Sequence, residues 1–172
     1  MTTALVVIDV QKAMFGTLVP FEGEAVVARI AGLIAKARAA GTPIFFVQHD
    51  GGPGDPFQAG TPGFAFCDVL APQPGDDVTV KTKSSAFHRT DLDAKLKRAG
   101  VDALIITGMQ SEYCVTSAIR GAYERGYRLT LVSDAHSTFD TKFATGKVII
   151  DVINDTTRGS FAKVLPADQI AF

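Results

Sequence analysis

Only two cysteines, Cys67 and Cys114, occur in 172 residues; they are far apart and lack metal-ligand spacing. That argues against a disulfide framework or a zinc site, and makes the reducing cytoplasm the expected setting. An excess of one charge is lacking too. Seventeen Lys and Arg face 18 Asp and Glu, so the formal net charge is −1 and there is no footprint for nucleic acid or an anionic membrane. No apolar run approaches the roughly 18 residues of a membrane span. The opening stretch, Met-Thr-Thr-Ala-Leu-Val-Val-Ile-Asp, has no basic segment before its apolar part and meets an acid at once, as a strand does and a signal peptide does not. Repeats, linkers and low-complexity segments are also missing. A single domain over 1–172, large enough for one sizeable core, is the expectation.

What is present is an alternation of apolar runs and helical patterns. Residues 4–8, 44–47, 78–80, 104–106, 128–132 and 161–165 read as strands, several of them apolar enough to be buried on both faces. Between them, Val26, Val27, Ile30, Leu33, Ile34 and Ala37 keep helical spacing over 24–40, with Gly41 as a stop. A weak capping box, Thr90 with Asp93, opens a helix that Gly100 closes. Val115, Ala118, Ile119 and Ala122 mark a helix starting at Cys114, and Val148, Ile149, Val152 and Ile153 another. This pattern predicts an α/β fold: a three-layer sandwich with a six-stranded, mainly parallel Rossmann-like sheet between helices. The Gly- and Pro-rich stretch 51–65 is a long loop, a candidate rim or lid.

In a parallel sheet, residues just past the strand ends gather along one edge, where ligands bind. Asp9, Lys81 and Cys114 each stand at or beyond such an end, so they can converge. A thiol at a helix N-terminus meets unpaired N–H groups and the positive end of the helix dipole, which favour thiolate. An aspartate can take its proton, and a lysine can hold both anions. Each residue also has a plainer reading: a buried small hydrophobe for Cys114, a helix cap for Asp9 and a solvated charge for Lys81. Cys67, in Phe-Ala-Phe-Cys, reads as structural.

Four stretches carry a resemblance: Val-Val-Ile-Asp-Val-Gln at 6–11, Lys81 followed by Ser85-Ala86-Phe87, Thr-Gly-Met-Gln-Ser-Glu-Tyr-Cys-Val at 107–115, and Gly-Tyr-Arg-Leu-Thr-Leu-Val-Ser-Asp-Ala-His at 126–136. In order and spacing the chain resembles the isochorismatase-like cysteine hydrolases, a group that includes nicotinamidases and related amidases. The resemblance implies an Asp-Lys-Cys triad at Asp9, Lys81 and Cys114. It also implies a non-proline cis peptide between Met109 and Gln110, with the N–H groups of Gln110 and Cys114 forming an oxyanion hole. Lys83 competes with Lys81; spacing to Phe87 favours Lys81, since alternation would send both to one face at different distances from the strand end. Phe15, His49, Phe87 and Tyr113 flank the motif ends and are candidate pocket walls, or plain packing.

The pattern also departs from the family. Nicotinamidases carry an Asp-x-His pair and a further His for a metal; residues 48–52 here read Gln-His-Asp-Gly-Gly, and His88 and His136 belong to other motifs. No metal or other cofactor is expected, nor nicotinamide as substrate. The expected activity is cleavage of a small amide through a thioester. The alternatives are vinyl-ether hydrolysis, for which family members can dispense with the cysteine, and a non-catalytic scaffold with a vestigial site. By analogy with the family, the expected partners are a small-molecule substrate and further copies of the chain, as a homo-oligomer (dimer or tetramer).

Overall fold

A computed structural model describes residues 2–172. Six strands, β1 (Thr2–Ile8), β2 (Ile44–His49), β3 (Asp77–Lys81), β4 (Val101–Met109), β5 (Arg128–Ser137) and β6 (Lys163–Leu165), form one sheet in the order β3-β2-β1-β4-β5-β6. Every pairing is parallel. In this doubly wound order the chain reverses direction of travel between β1 and β4, and the crevice beyond their C-terminal ends is the place such sheets offer a ligand.

Parallel neighbours require long crossovers. Helices α1 (Gly23–Ala39), α2 (Leu92–Arg98), α3 (Thr116–Glu124) and α4 (Gly146–Thr157) supply four of them. Strands β2 and β3 are joined instead by residues 50–76, which contain short 3-10 turns at Pro62–Phe64 and Asp68–Leu70. Phe66 and Leu70 from this stretch are buried and fill part of the core beside α1, where a helix would otherwise lie.

Burial on both faces explains the continuous apolar runs. Along β1, Ala4, Val6 and Ile8 enter the core layer beneath α2 and α3, while Leu5 and Val7 enter the layer beneath α1. Strand β3 lies at the sheet edge and alternates instead: Thr79 and Lys81 are buried, Val78 and Val80 exposed. Among the described residues no helix is long and apolar enough to cross a membrane.

Several boundaries differ from those the sequence predicts. Strand β5 runs on past Val132 through Ser133-Asp134-Ala135-His136-Ser137, because after a register shift His136 and Ser137 pair with Gly108 and Met109. Their polar side chains are satisfied inside: the Ser137 hydroxyl donates to the carbonyl of Phe21, and His136 is bonded at both ring nitrogens. Strand β6 is shorter than 161–165, since Phe161 turns out to pack edge-on against Tyr123. The capping box at α2 does not form. Thr90 donates its hydroxyl back to the Ala86 carbonyl, and Asp93 accepts from Lys97 and from the Tyr127 hydroxyl.

Candidate active site

Asp9 follows β1 directly, is fully buried and adopts φ +50. Aspartate tolerates this left-handed region better than most residues, yet such conformations cost about 1–3 kcal/mol and persist where the surroundings enforce them. Enforcement comes from β4: Ile8 pairs with Gly108, whose φ is +126. A Cβ at Gly108 would collide with the carbonyl oxygen of Ile8, so only glycine lets the two strand ends close here. The next peptide, Met109–Gln110, is cis. A π-helical turn, Ser111–Val115, then leads into α3 and carries Cys114. The helical segment therefore begins three residues earlier than predicted, with Cys114 inside its first turn and not at its start.

Lys81 ends β3 opposite His49 of β2. With β2 intervening between β3 and β1, its long side chain crosses the end of β2 to reach Asp9. The Nζ atom lies 2.6 Å from Asp9 Oδ2 and donates to Cys114 Sγ at 3.3 Å. Three residues remote in sequence thus meet around one ammonium. Lys83 is exposed. Strand β3 stops at Lys81, so the alternation that would have turned both lysines to one face does not extend that far.

Burial sets the protonation of this cluster. Desolvation raises the Asp9 carboxyl above its ordinary 3.8, although the Lys81 charge pulls it down. Desolvation, then the negative charge of Asp9, pushes the Cys114 thiol up to about 12, with Lys81 opposing. Where the sequence has the helix end favour thiolate, water exclusion and the adjacent carboxylate act the other way and favour the thiol. The resting sulfur holds its proton, beside a carboxylate more basic than usual. The Asp9 carboxylate is buried, with Lys81 and the Cys114 side chain as its neighbours, so it is placed to accept that proton.

Asp9 and Cys114 share a cavity of about 290 Å³ with His49, Gln110 and Tyr113. The neighbouring walls come from Met14, Asp55, Phe57 and Ser84, none of them singled out from the sequence. Of the two phenylalanines predicted as walls, neither lines it. Phe15 packs against the start of α1, where Gly23 leaves room for its ring, and the adjacent Met14 takes the wall position. Phe87 is buried in the core, stacked on Tyr127 and covered by the Arg125 guanidinium. Cys67 packs against the α1-side core, outside the cavity lining, and burial raises its thiol. A wider depression of about 870 Å³ runs along the starts of β5 and β6 and contains none of Asp9, Lys81 or Cys114.

Two buried polar networks hold the surroundings in place. Gln11 donates to the carbonyls of His49 and Phe64 and accepts from the His49 N–H, at 2.8–2.9 Å, while Gln48 donates to the same Phe64 carbonyl at 2.7 Å. The 51–65 loop is therefore pinned to the strand end. His136 stands under the Cys114 turn: its Nδ1 lies 2.7 Å from the Ser111 hydroxyl and its Nε2 3.1 Å from Asn154 Oδ1. Asn154 in turn donates to the Ser133 carbonyl. With Asn154 accepting, Nε2 carries the proton and Nδ1 accepts from Ser111, so the ring is neutral; desolvation lowers its pKa accordingly. Among the described residues, no three or more His, Cys, Asp or Glu are grouped so as to hold a metal ion.

This fold is that of a known class of α/β proteins: the isochorismatase domain family matches residues 3–149, and the chain belongs to it. Over 138 residues the chain is 41% identical to streptothricin hydrolase from Streptomyces noursei, a match that covers 80% of this chain and 50% of that protein. It is 34% identical to the ureidoacrylate amidohydrolase of Methylobacterium radiotolerans, over 78% of this chain and 66% of that one. The crystal structure of an isochorismatase from Pseudomonas putida KT2440 superimposes with a TM-score of 0.92 at 33% identity, covering 98% of this chain and 90% of that one. The chain thus spans about half the length of the first of these relatives.

Proposed function

We propose that the protein is a cysteine hydrolase that cleaves the C–N bond of a small amide through a thioester, with Asp9, Lys81 and Cys114 as its triad. The observation that carries this reading is the Lys81 ammonium held between the Asp9 carboxylate and the Cys114 sulfur, both of which line one small cavity. The relatives named amidohydrolase and hydrolase support the reaction class.

Asp9 takes the thiol proton as sulfur attacks the carbonyl carbon. Negative charge then moves from carboxylate to sulfur without leaving the reach of Lys81, so little rearrangement of charge around the cation is needed. The N–H groups of Gln110 and Cys114 receive the oxyanion; donors of this kind are typically worth about 3–4 kcal/mol in the transition state. When the tetrahedral species collapses, protonated Asp9 gives its proton to the leaving amine. Water then yields a proton to Asp9 and attacks the thioester, the acid departs, and Asp9 returns the proton to sulfur.

Ammonia release from a panel of small amides tests the proposal, together with mass spectrometry of the enzyme quenched during turnover. Wild type is expected to release ammonia and to gain an acyl adduct on Cys114. Cys114→Ala and Cys114→Ser should lose about a thousandfold or more in kcat. Undiminished turnover in Cys114→Ala would rule out the covalent route, and cleavage of a vinyl ether without any amide hydrolysis would replace this reading with the ether alternative.

A further inference from the structure

We propose that the cavity selects amides bearing a positive charge, and that Asp55 is the residue that reads it; this rests on the amide-hydrolase reading above. The charges around the cavity do not balance without such a substrate. Its lining includes two carboxylates, Asp9 and Asp55, and no lysine or arginine. Asp9 is already matched by Lys81 at 2.6 Å. The Cys114 thiol keeps its proton, and His49 is held toward its neutral form, chiefly by burial and then by the Lys81 charge. Asp55 is what remains.

Its carboxylate is placed by the loop and not left to wander. Asp55 Oδ1 accepts the Phe57 N–H at 2.8 Å, and the Asp55 N–H donates to the Gly52 carbonyl at 3.2 Å. A side chain at Gly51 would collide with the Asp55 carboxyl group, so glycine there makes room for it. No lysine, arginine or histidine nitrogen among the described residues comes within 4.0 Å of this carboxylate. Asp50, nearby on the same loop, adds negative charge at the rim while its Oδ1 accepts the N–H groups of Gly52 and Ala59. A partly buried, unmatched carboxylate in a confined space favours an incoming cation and disfavours an anion. Phe57, Tyr113 and Met14 supply apolar walls for a short carbon spacer, and about 290 Å³ limits the ligand to a small one. The substrate class is therefore a small amide with an ammonium or amidinium group a few bonds from the scissile carbonyl.

Three amides of matched size test this: γ-aminobutyramide (cationic), valeramide (neutral) and succinamate (anionic). Binding is measured by NMR titration to Cys114→Ala, which needs no turnover, and kcat/KM is measured in wild type. The cation is expected to bind at least about tenfold more tightly than the neutral isostere, with the anion weakest. Raising the salt concentration should narrow that gap in the unsubstituted site. In Cys114→Ala/Asp55→Asn, where Asn still accepts the Phe57 N–H, the gap should close, and Asp55→Glu should restore part of it. Equal or anion-favouring binding overturns the proposal, as does a cation preference that survives Asp55→Asn. Asp55-dependent cation binding without hydrolysis of any amide would sustain the charge selection and sink the amide-hydrolase reading instead.

Discussion

Lys81 Nζ and Asp9 Oδ2 lie 2.6 Å apart with both side chains sealed from solvent. Breaking a buried ion pair from one side leaves a bare charge in a dry place, typically at a cost of about 3–5 kcal/mol. Lys81→Met should therefore lose stability of that order in urea denaturation and lose amide hydrolysis as well. Lys83→Met, at an exposed position just beyond the strand, should stay within about 0.5 kcal/mol of wild type. Asp9→Asn/Lys81→Met, which removes both charges, should recover part of the stability and none of the activity. An inactive Lys83→Met beside an active Lys81→Met would reverse the assignment.

The same burial predicts an asymmetric pH–rate profile. In the proposed mechanism, activity requires one shared proton, on Cys114, with Asp9 ionised. The Asp9 carboxyl is raised above 3.8, so the acid limb of kcat/KM should lie higher than an unperturbed aspartate would place it. The thiol is pushed up to about 12, so no descending limb from Cys114 should appear between roughly pH 7 and 9. Both limbs belong to the coupled pair and not to either residue alone. A profile governed by a thiolate near neutrality would contradict the geometry.

Gly108 offers a purely structural test. Any Cβ there meets the Ile8 backbone, and φ +126 is closed to L side chains. Gly108→Ala should cost about 3 kcal/mol or more, or prevent folding, and a small folded fraction should lack activity because Asp9 is displaced. Differential scanning calorimetry and turnover on the same sample decide it.

His136 makes stability depend on pH. Its pKa is lowered in the folded chain, so between that value and 6.5 the unfolded chain binds more protons. The stability this group contributes is complete above about pH 6.5 and is lost as pH falls below it, at up to about 1.4 kcal/mol per pH unit. Urea midpoints measured at about pH 7.5 and about pH 5.5 should differ for wild type, and the difference should shrink in His136→Gln. An unchanged slope in the variant would remove His136 as the cause.

Sheet and helices were legible because apolar periodicity records burial directly: the runs at 4–8 and 104–106 read as strands covered on both faces. What was not legible was polar structure satisfied from afar. The sequence ends this strand at Val132, yet the imidazole of His136 and the hydroxyl of Ser137 find partners on Ser111, Asn154 and Phe21, so the strand continues. Strand-end logic brought Asp9, Lys81 and Cys114 to one edge, and the distances place them together. It did not weigh desolvation, which works against the thiolate that the helix end was expected to favour. The wall residues were harder still. Asp55 and Phe57 lie in the loop singled out as a rim, but the Gln11 and Gln48 clamps that fix the loop against the strand end are invisible in any local pattern.

Strand β3 is the outermost of the six, yet it delivers the cation that Asp9 and Cys114 surround. Undocking that margin would leave the proposed nucleophile and base both in place but without the positive centre between them. Catalysis would therefore fail at the periphery before the interior came apart, and loss of turnover during gentle denaturation would time the detachment of one five-residue segment and not the collapse of the whole molecule.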